Sequence, residues 1–296
     1  MLTLWGCPAD PRGSGGQVLG WCTGVSWDEL RVRAMRQPWA VEQIQQSAEG
    51  RAELRGSERT VAIVTGGGRR VGAAIALMLA RRGFDVVVHY GSSAAGAADV
   101  VQQIIASGVR SIAVGADLRD PVLSSERIFA AASDLGPVTV LINSASVFQD
   151  SALDKVDLTH CSEHVSVNLL APIFLSQHFM RHLSTDGRGQ IINILDWRVH
   201  RPGADHLVYT ATRSALASVT RTLALQLAPR VQVNGVAPGA VLPPENRPDW
   251  HQERAAERIP LRRTGTPADV TAAIGFLLDS DFITGEVLNV SGGEEL

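Results

Sequence analysis

Cysteine is scarce in this chain of 296 residues: there are three, Cys7, Cys22 and Cys161, scattered along its length. No C-x-x-C pair or Cys/His cluster accompanies them, which leaves no reason to expect a metal site or a disulfide framework. An excess of one charge is lacking too, since the formal net charge is −3. That removes the electrostatic case for nucleic acid or an anionic membrane as a partner. No apolar run approaches the roughly 20 residues of a membrane span. The opening stretch, MLTLWGCPADPRGSGG, has no basic start followed by an apolar core, so it does not read as a secretory leader. The expectation is a cytoplasmic protein acting on a small molecule.

What the chain does contain divides near residue 58. Residues 1–57 hold four of the six tryptophans (Trp5, Trp21, Trp27 and Trp39), a glycine-rich run GSGGQVLG, and one weak helical stretch interrupted at Pro38. Proline lacks a backbone donor, so one continuous helix is not expected there. This part reads as an N-terminal extension, either poorly ordered or docked, with an interaction arm as the sharper reading. A regular pattern begins at Thr60. Short β-branched runs (TVAIVT, DVVVHY, VRSIAVGADL, VTVLINSAS, GQIINIL, VQVNGVAPG, EVLNVSGG) alternate with helical stretches such as AAIALMLARRGF. The alternation predicts one α/β domain over residues 58–296. It would be a doubly wound parallel sheet of Rossmann type, covered on both faces, with ligands at the carboxyl ends of its strands.

The first strand runs into T-G-G-G-R-R-V-G, Thr65 to Gly72. Glycines allow a sharp turn close to a pyrophosphate, and the following helix N-terminus offers free N–H groups and positive potential. Gly66, Arg69, Arg70 and Val71 are the predicted cofactor contacts of this turn. The second strand ends in H-Y-G-S-S, without the carboxylate that would accept a bond from a ribose 2′-hydroxyl. A 2′-phosphate would instead meet Arg69, Arg70, Ser92 and Ser93. The cofactor expected is therefore NADPH, with Arg69 and Arg70 as solvated turn residues kept as the alternative.

Further along, YTATR places Tyr209 and Arg213 one helical turn apart, and residues at i and i+4 share a helix face. With T-G-x-x-x-x-x-G at Thr65 come A-D-L at Ala116–Leu118, N-S-A-S at Asn143–Ser146, Asn168 in SVNLLAP, and P-G at Pro238 and Gly239. Carrying these pieces in this order, residues 60–296 resemble the short-chain dehydrogenase/reductase family. Within it they are most similar to the pteridine reductase and dihydromonapterin reductase branch. Arg70 stands at a usual glycine, Asp196 at the usual catalytic serine, and Phe148 where that branch stacks an aromatic on the pterin.

The resemblance implies Tyr209 as proton donor, with Asp196, Arg213 and Asn168 as its catalytic companions. It implies that Asp117 and Leu118 contact the adenine. Asn143, Ala145 and Ser146 would line the nicotinamide side, with Pro238 and Gly239 also against the cofactor. Phe148, Ser146, Asp196 and Tyr209 would face the substrate, a dihydropterin or similar flat heterocycle. A 3-oxoacyl-type carbonyl reductase is the first alternative, and an NADP-binding protein with little turnover the second. A homo-oligomer, dimer or tetramer, is implied as well. The departure from the family is Arg213, where lysine is usual: the positive charge survives, but the planar fork need not reproduce the ribose contact. A nearby cation is expected to pull the Tyr209 phenol below its free value. Restoring lysine at 213 is expected to keep or raise activity, or to lower it if the pocket has adjusted to the larger guanidinium. Bland readings stand beside these: Phe148 as core, Asp196 as a turn cap, and Asn168 as a helix residue bonded to backbone.

Overall fold

In the computed structural model, residues 59–150, 153–243, 250, 253–254 and 258–296 are described. The extension expected over residues 1–57 lies outside them. Seven strands form one sheet: β1 (Val61–Val64), β2 (Asp85–Tyr90), β3 (Ser111–Gly115), β4 (Val138–Asn143), β5 (Gly189–Ile194), β6 (Val231–Pro238) and β7 (Val287–Val290). Their order is β3-β2-β1-β4-β5-β6-β7, and every neighbouring pair is parallel. The chain thus winds outward from β1 in one direction and from β4 in the other. The crevice at that reversal is where a doubly wound sheet takes its ligand.

Both faces are covered, which explains the near-continuous apolar strands. On one side Ala62, Val64, Val86 and Val88 pack with Ile75 and Leu79 of helix α1 (Arg70–Arg81) and Ile104 of α2 (Ala94–Ala106). On the other, Val61, Ile63, Val87 and Leu141 meet Ile128 and Phe129 of α3 (Pro121–Ser133). Helix starts follow their sequence signals. Asp120 accepts from the Leu123 N–H ahead of Pro121, and Asp157 caps α4 (Leu158–Val165) by accepting from His160. One π-helical turn, Ser166–Leu170, joins α4 to α5 (Ala171–His182), and Asn168 lies in it. Such turns concentrate at functional sites. The longest helix, α6 (Leu207–Leu227), carries Tyr209 and Arg213, and α7 (Pro267–Asp279) opens on a Thr266/Asp269 capping box. No described helix is long and apolar enough to cross a membrane.

Candidate active site

The glycine-rich turn after β1 is shaped by close backbone approach. A Cβ on Gly72 would lie 2.2 Å from the Gly66 carbonyl oxygen, and Gly66 itself has φ +64° with Ala145 Cα 3.0 Å from where its Cβ would be. Two side chains hold the turn. The Thr65 hydroxyl accepts from the N–H groups of Ser144 (2.9 Å) and Ala145 (3.0 Å), tying β1 to the segment after β4. His89 accepts from the Gly66 N–H at Nδ1 (3.2 Å) while its Nε2 faces the Ala116 carbonyl at 3.0 Å. Those contacts set the tautomer: Nε2 carries the proton and donates. Burial pushes the imidazole below its ordinary pKa, consistent with a neutral ring. Sequence reasoning quoted His89 and Thr65 without giving either a role. A lone polar residue in an apolar strand was the available signal for His89.

The two arginines of the turn part company. Arg69 is exposed and its guanidinium bonds to none of the described residues, so it is free to meet a phosphate. Arg70 has φ +53°, the left-handed backbone that makes glycine usual here. Its Nη1 donates to the Pro243 carbonyl at 3.2 Å and its Nη2 to that of Leu242 at 3.3 Å. Guanidinium donors of Arg70 are thus engaged by the loop after β6, whereas those of Arg69 are not. Ser92 and Ser93 follow β2, Ser93 at the start of α2, and Val71 lies in the first turn of α1.

The other expected cofactor residues take varied positions. Asp117 is half-exposed, and hydrogen bonds from Arg119 hold its carboxyl below the ordinary value; Leu118 is buried in the core. Asn143 is 2% exposed, and its Nδ2 donates to Asn193 Oδ1 at 2.8 Å across the β4–β5 pair. It therefore braces the floor of the cleft. Ala145 and Ser146 form the strip beyond it, with the Ser146 hydroxyl 3.3 Å from the Val147 carbonyl. At the end of β6, Pro238 and Gly239 pass the segment after β7 so closely that a Cβ on Gly239 would be 2.8 Å from Ser291 Cα.

Tyr209, Asp196 and Arg213 come together. The Tyr209 hydroxyl donates to Asp196 Oδ2 at 3.0 Å. Asp196 also caps the short turn Trp197–Val199, its Oδ1 accepting from the Arg198 N–H at 2.9 Å. The turn-cap reading and the catalytic reading of Asp196 are thus compatible in one side chain. Arg213 is 2% exposed, its Cζ 5.3 Å from the Tyr209 ring centroid. Its Nε and Nη1 are buried with no hydrogen-bond partner among the described residues. A buried cation with idle donors fits ribose hydroxyls, which would supply the missing acceptors.

The expected lowering of the Tyr209 phenol is corrected. Burial pushes it up to about 12, and the opposing pull of Arg213 does not compensate; Asp196 adds to the rise. Asn168 is fully buried, and its amide brackets Val147, accepting from the N–H and donating to the carbonyl, both at 2.9 Å. Its amide is used to hold backbone, so it is placed as a positioning residue. Through Val147 it fixes Phe148, which is half-exposed and so is not core. The Phe148 ring stacks on His206 at 4.1 Å and 13°, and stands edge-on to Tyr209 at 4.7 Å. Arg198, Asp205 and His206 complete this wall, and sequence reasoning missed all three.

A family model described as short chain dehydrogenase matches residues 60–254. The chain belongs to the short chain dehydrogenase family. It is 37% identical over 244 residues to an oxidoreductase of Methylorubrum extorquens, covering 80% of this chain and 98% of that one. It is 32% identical to the 3-oxoacyl-[acyl-carrier-protein] reductase FabG of Staphylococcus epidermidis, covering 78% and 97%. Among solved structures, FolM alternative dihydrofolate reductase 1 of Brucella canis, complexed with NADP, superposes with a TM-score of 0.76. That pair shares 34% identity over 80% of this chain and 94% of the other. Membership makes the chain an oxidoreductase, and the glycine-rich turn, the Ser144–Ser146 segment and Asp196 follow the carboxyl ends of β1, β4 and β5.

Proposed function

We propose that this short chain dehydrogenase is an NADPH-dependent reductase of a dihydropterin or a similar flat heterocycle, with Tyr209 as proton donor. The observation that carries the reading is the Tyr209–Asp196 hydrogen bond beside the Phe148 ring. A carboxylate at this position can orient the phenol and take part in proton transfer toward a ring nitrogen, and an aromatic wall suits a flat ligand. Likeness to the NADP complex of a FolM-type reductase supports both the cofactor and the substrate class. NADPH, when bound, supplies the hydride. The protein's part is then to orient and to hold a proton. Arg69 would face the 2′-phosphate, and the idle donors of Arg213 would hold ribose hydroxyls. Burial keeps Tyr209 protonated until substrate arrives. The reading includes a homodimer or homotetramer in solution.

A second reading, a 3-oxoacyl reductase, is favoured by the FabG likeness. NADPH oxidation measured on dihydrobiopterin, dihydromonapterin and a 3-oxoacyl thioester separates them. Turnover on a dihydropterin, with the thioester at least tenfold slower in kcat/KM, is expected; the reverse order overturns the reading. Silence on every substrate would point to an NADP-binding protein without turnover.

A further inference from the structure

We propose that Arg198 is a positioning residue that holds the Asp196 carboxylate aimed at Tyr209. The proposal rests on the reading of Tyr209 and Asp196 as the proton-donor pair. Six side chains close a ring around the mouth of the site. Tyr209 donates to Asp196 Oδ2 at 3.0 Å, and Arg198 Nη1 donates to Asp196 Oδ1 at 3.3 Å. Arg198 Nη2 reaches Asp205 Oδ2 at 3.4 Å, and His206 Nδ1 lies 2.9 Å from that same oxygen. His206 stacks on Phe148, which returns to the edge of Tyr209.

Arg198 sits at the centre. It is 8% exposed, and its Cζ lies 5.5 Å from the Phe148 ring centroid and 5.1 Å from that of Trp197. Two aromatic neighbours restrict where the guanidinium can go, and the planar fork then reaches two carboxylates at once. A surface ion pair would be free to exchange with water; the Arg198–Asp196 pair is largely excluded from it, while Asp205 is half exposed. Asp196 has two oxygens and two jobs. With Oδ1 taken by the Arg198 side chain and its backbone N–H, Oδ2 is left for the phenol. Without the guanidinium, one backbone N–H would be left to hold Oδ1, and rotation about χ2 would turn Oδ2 away from Tyr209.

The chain has only two tyrosines, Tyr90 and Tyr209, so protein labelled with [13Cζ]tyrosine gives two signals and needs no substrate. Tyr90, in β2, reports the fold. Asp196→Asn marks the position of a Tyr209 that has lost its carboxylate acceptor. Arg198→Met is expected to move the Tyr209 signal to that position with the Tyr90 signal unmoved. Arg198→Lys, which keeps the charge but has one nitrogen for two carboxylates, is expected to fall between. A Tyr209 signal at the wild-type position in Arg198→Met would overturn the proposal and leave Arg198 as packing between Phe148 and Trp197. If Arg198→Met does not fold, with both signals collapsed, Arg198→Lys decides alone. Movement toward the Asp196→Asn position supports the proposal, and the wild-type position overturns it. The substrate panel tests the proposed function separately, because this measurement requires no turnover.

Discussion

Tyr209 and Arg213 together set how a proton is held in this cleft. The buried phenol resists ionisation, and the cation beside it opposes that resistance only in part. Tyr209→Phe removes the proton donor and leaves the ring packed, so turnover should be lost while NADPH affinity, read by fluorescence titration, stays within about twofold. The same substitution should change alkaline stability. A phenol whose folded pKa is raised from 10.0 to about 12 stabilises the fold fully below pH 10, and that contribution is lost as pH rises through 12. A shift of that size corresponds to about 2–3 kcal/mol. Urea melts at pH 9 and pH 12 should therefore converge more closely for Tyr209→Phe than for the wild type. Arg213 has a wider context, since Lys155 is the chain's single lysine beside 26 arginines. Arginine at 213 follows a chain-wide preference and is not by itself a mark of lost catalysis. Because Arg213 is 2% exposed, the pocket is packed around it, and lysine would leave a gap and two N–H donors fewer. Of the two outcomes left open by the sequence, this packing favours a site adapted to arginine. Arg213→Lys should lower kcat/KM by tenfold or more, about 1.4 kcal/mol. An unchanged or higher value would mean that the cation's shape does not matter.

At the scale of elements, the cofactor turn is a junction of three strands. Thr65 leaves β1 and binds the segment after β4, and His89 of β2 binds the turn from the other side. The turn is rigid because buried polar groups are spent on it, which favours tight binding of a pyrophosphate. The β2–α2 connection offers no carboxylate to repel a 2′-phosphate, and Arg69 stands at the N-terminus of α1 with no hydrogen-bond partner for its guanidinium among the described residues. Arg69→Ala should therefore weaken NADPH binding by about 1.5–3 kcal/mol, the range of a charge-assisted hydrogen bond. NADH binding should hardly change. Equal losses for both cofactors in calorimetric titration would show that Arg69 serves the turn and not the phosphate.

For the whole molecule, the sheet ends on one side at β7, a short edge strand whose residues are half-buried or exposed. Phe282, just before it, is 99% exposed, and Phe276 on α7 is 55% exposed. Among the described residues no strand pairs beyond β7, and an edge near exposed aromatics is a surface that natural proteins usually cover. A dimer or tetramer is accordingly expected in light scattering at micromolar concentration, and a monomer at that concentration would refute it.

Much of this was legible in the sequence because it depends on local rules. Strand and helix order follows from short β-branched runs alternating with helical stretches, each read within a few residues. The glycine turn and the Tyr209–Arg213 spacing are local as well, and Asp196 and Phe148 were found by their offsets within a family pattern. What only the tertiary structure decided depends on distance between segments. Arg70 could not be separated from Arg69 until the carbonyls of Leu242 and Pro243 appeared beside it. The rise of the Tyr209 phenol follows from burial, which no spacing reveals. Asn143 and Asn168 turned out to brace strands and backbone because their amides meet Asn193 and Val147 across the fold. The ring through Arg198, Asp205 and His206 closes only when the loop after β5, the start of α6 and the loop after β4 are brought together. Contacts between distant segments carry no periodicity, so the chain alone could name these residues but not their partners.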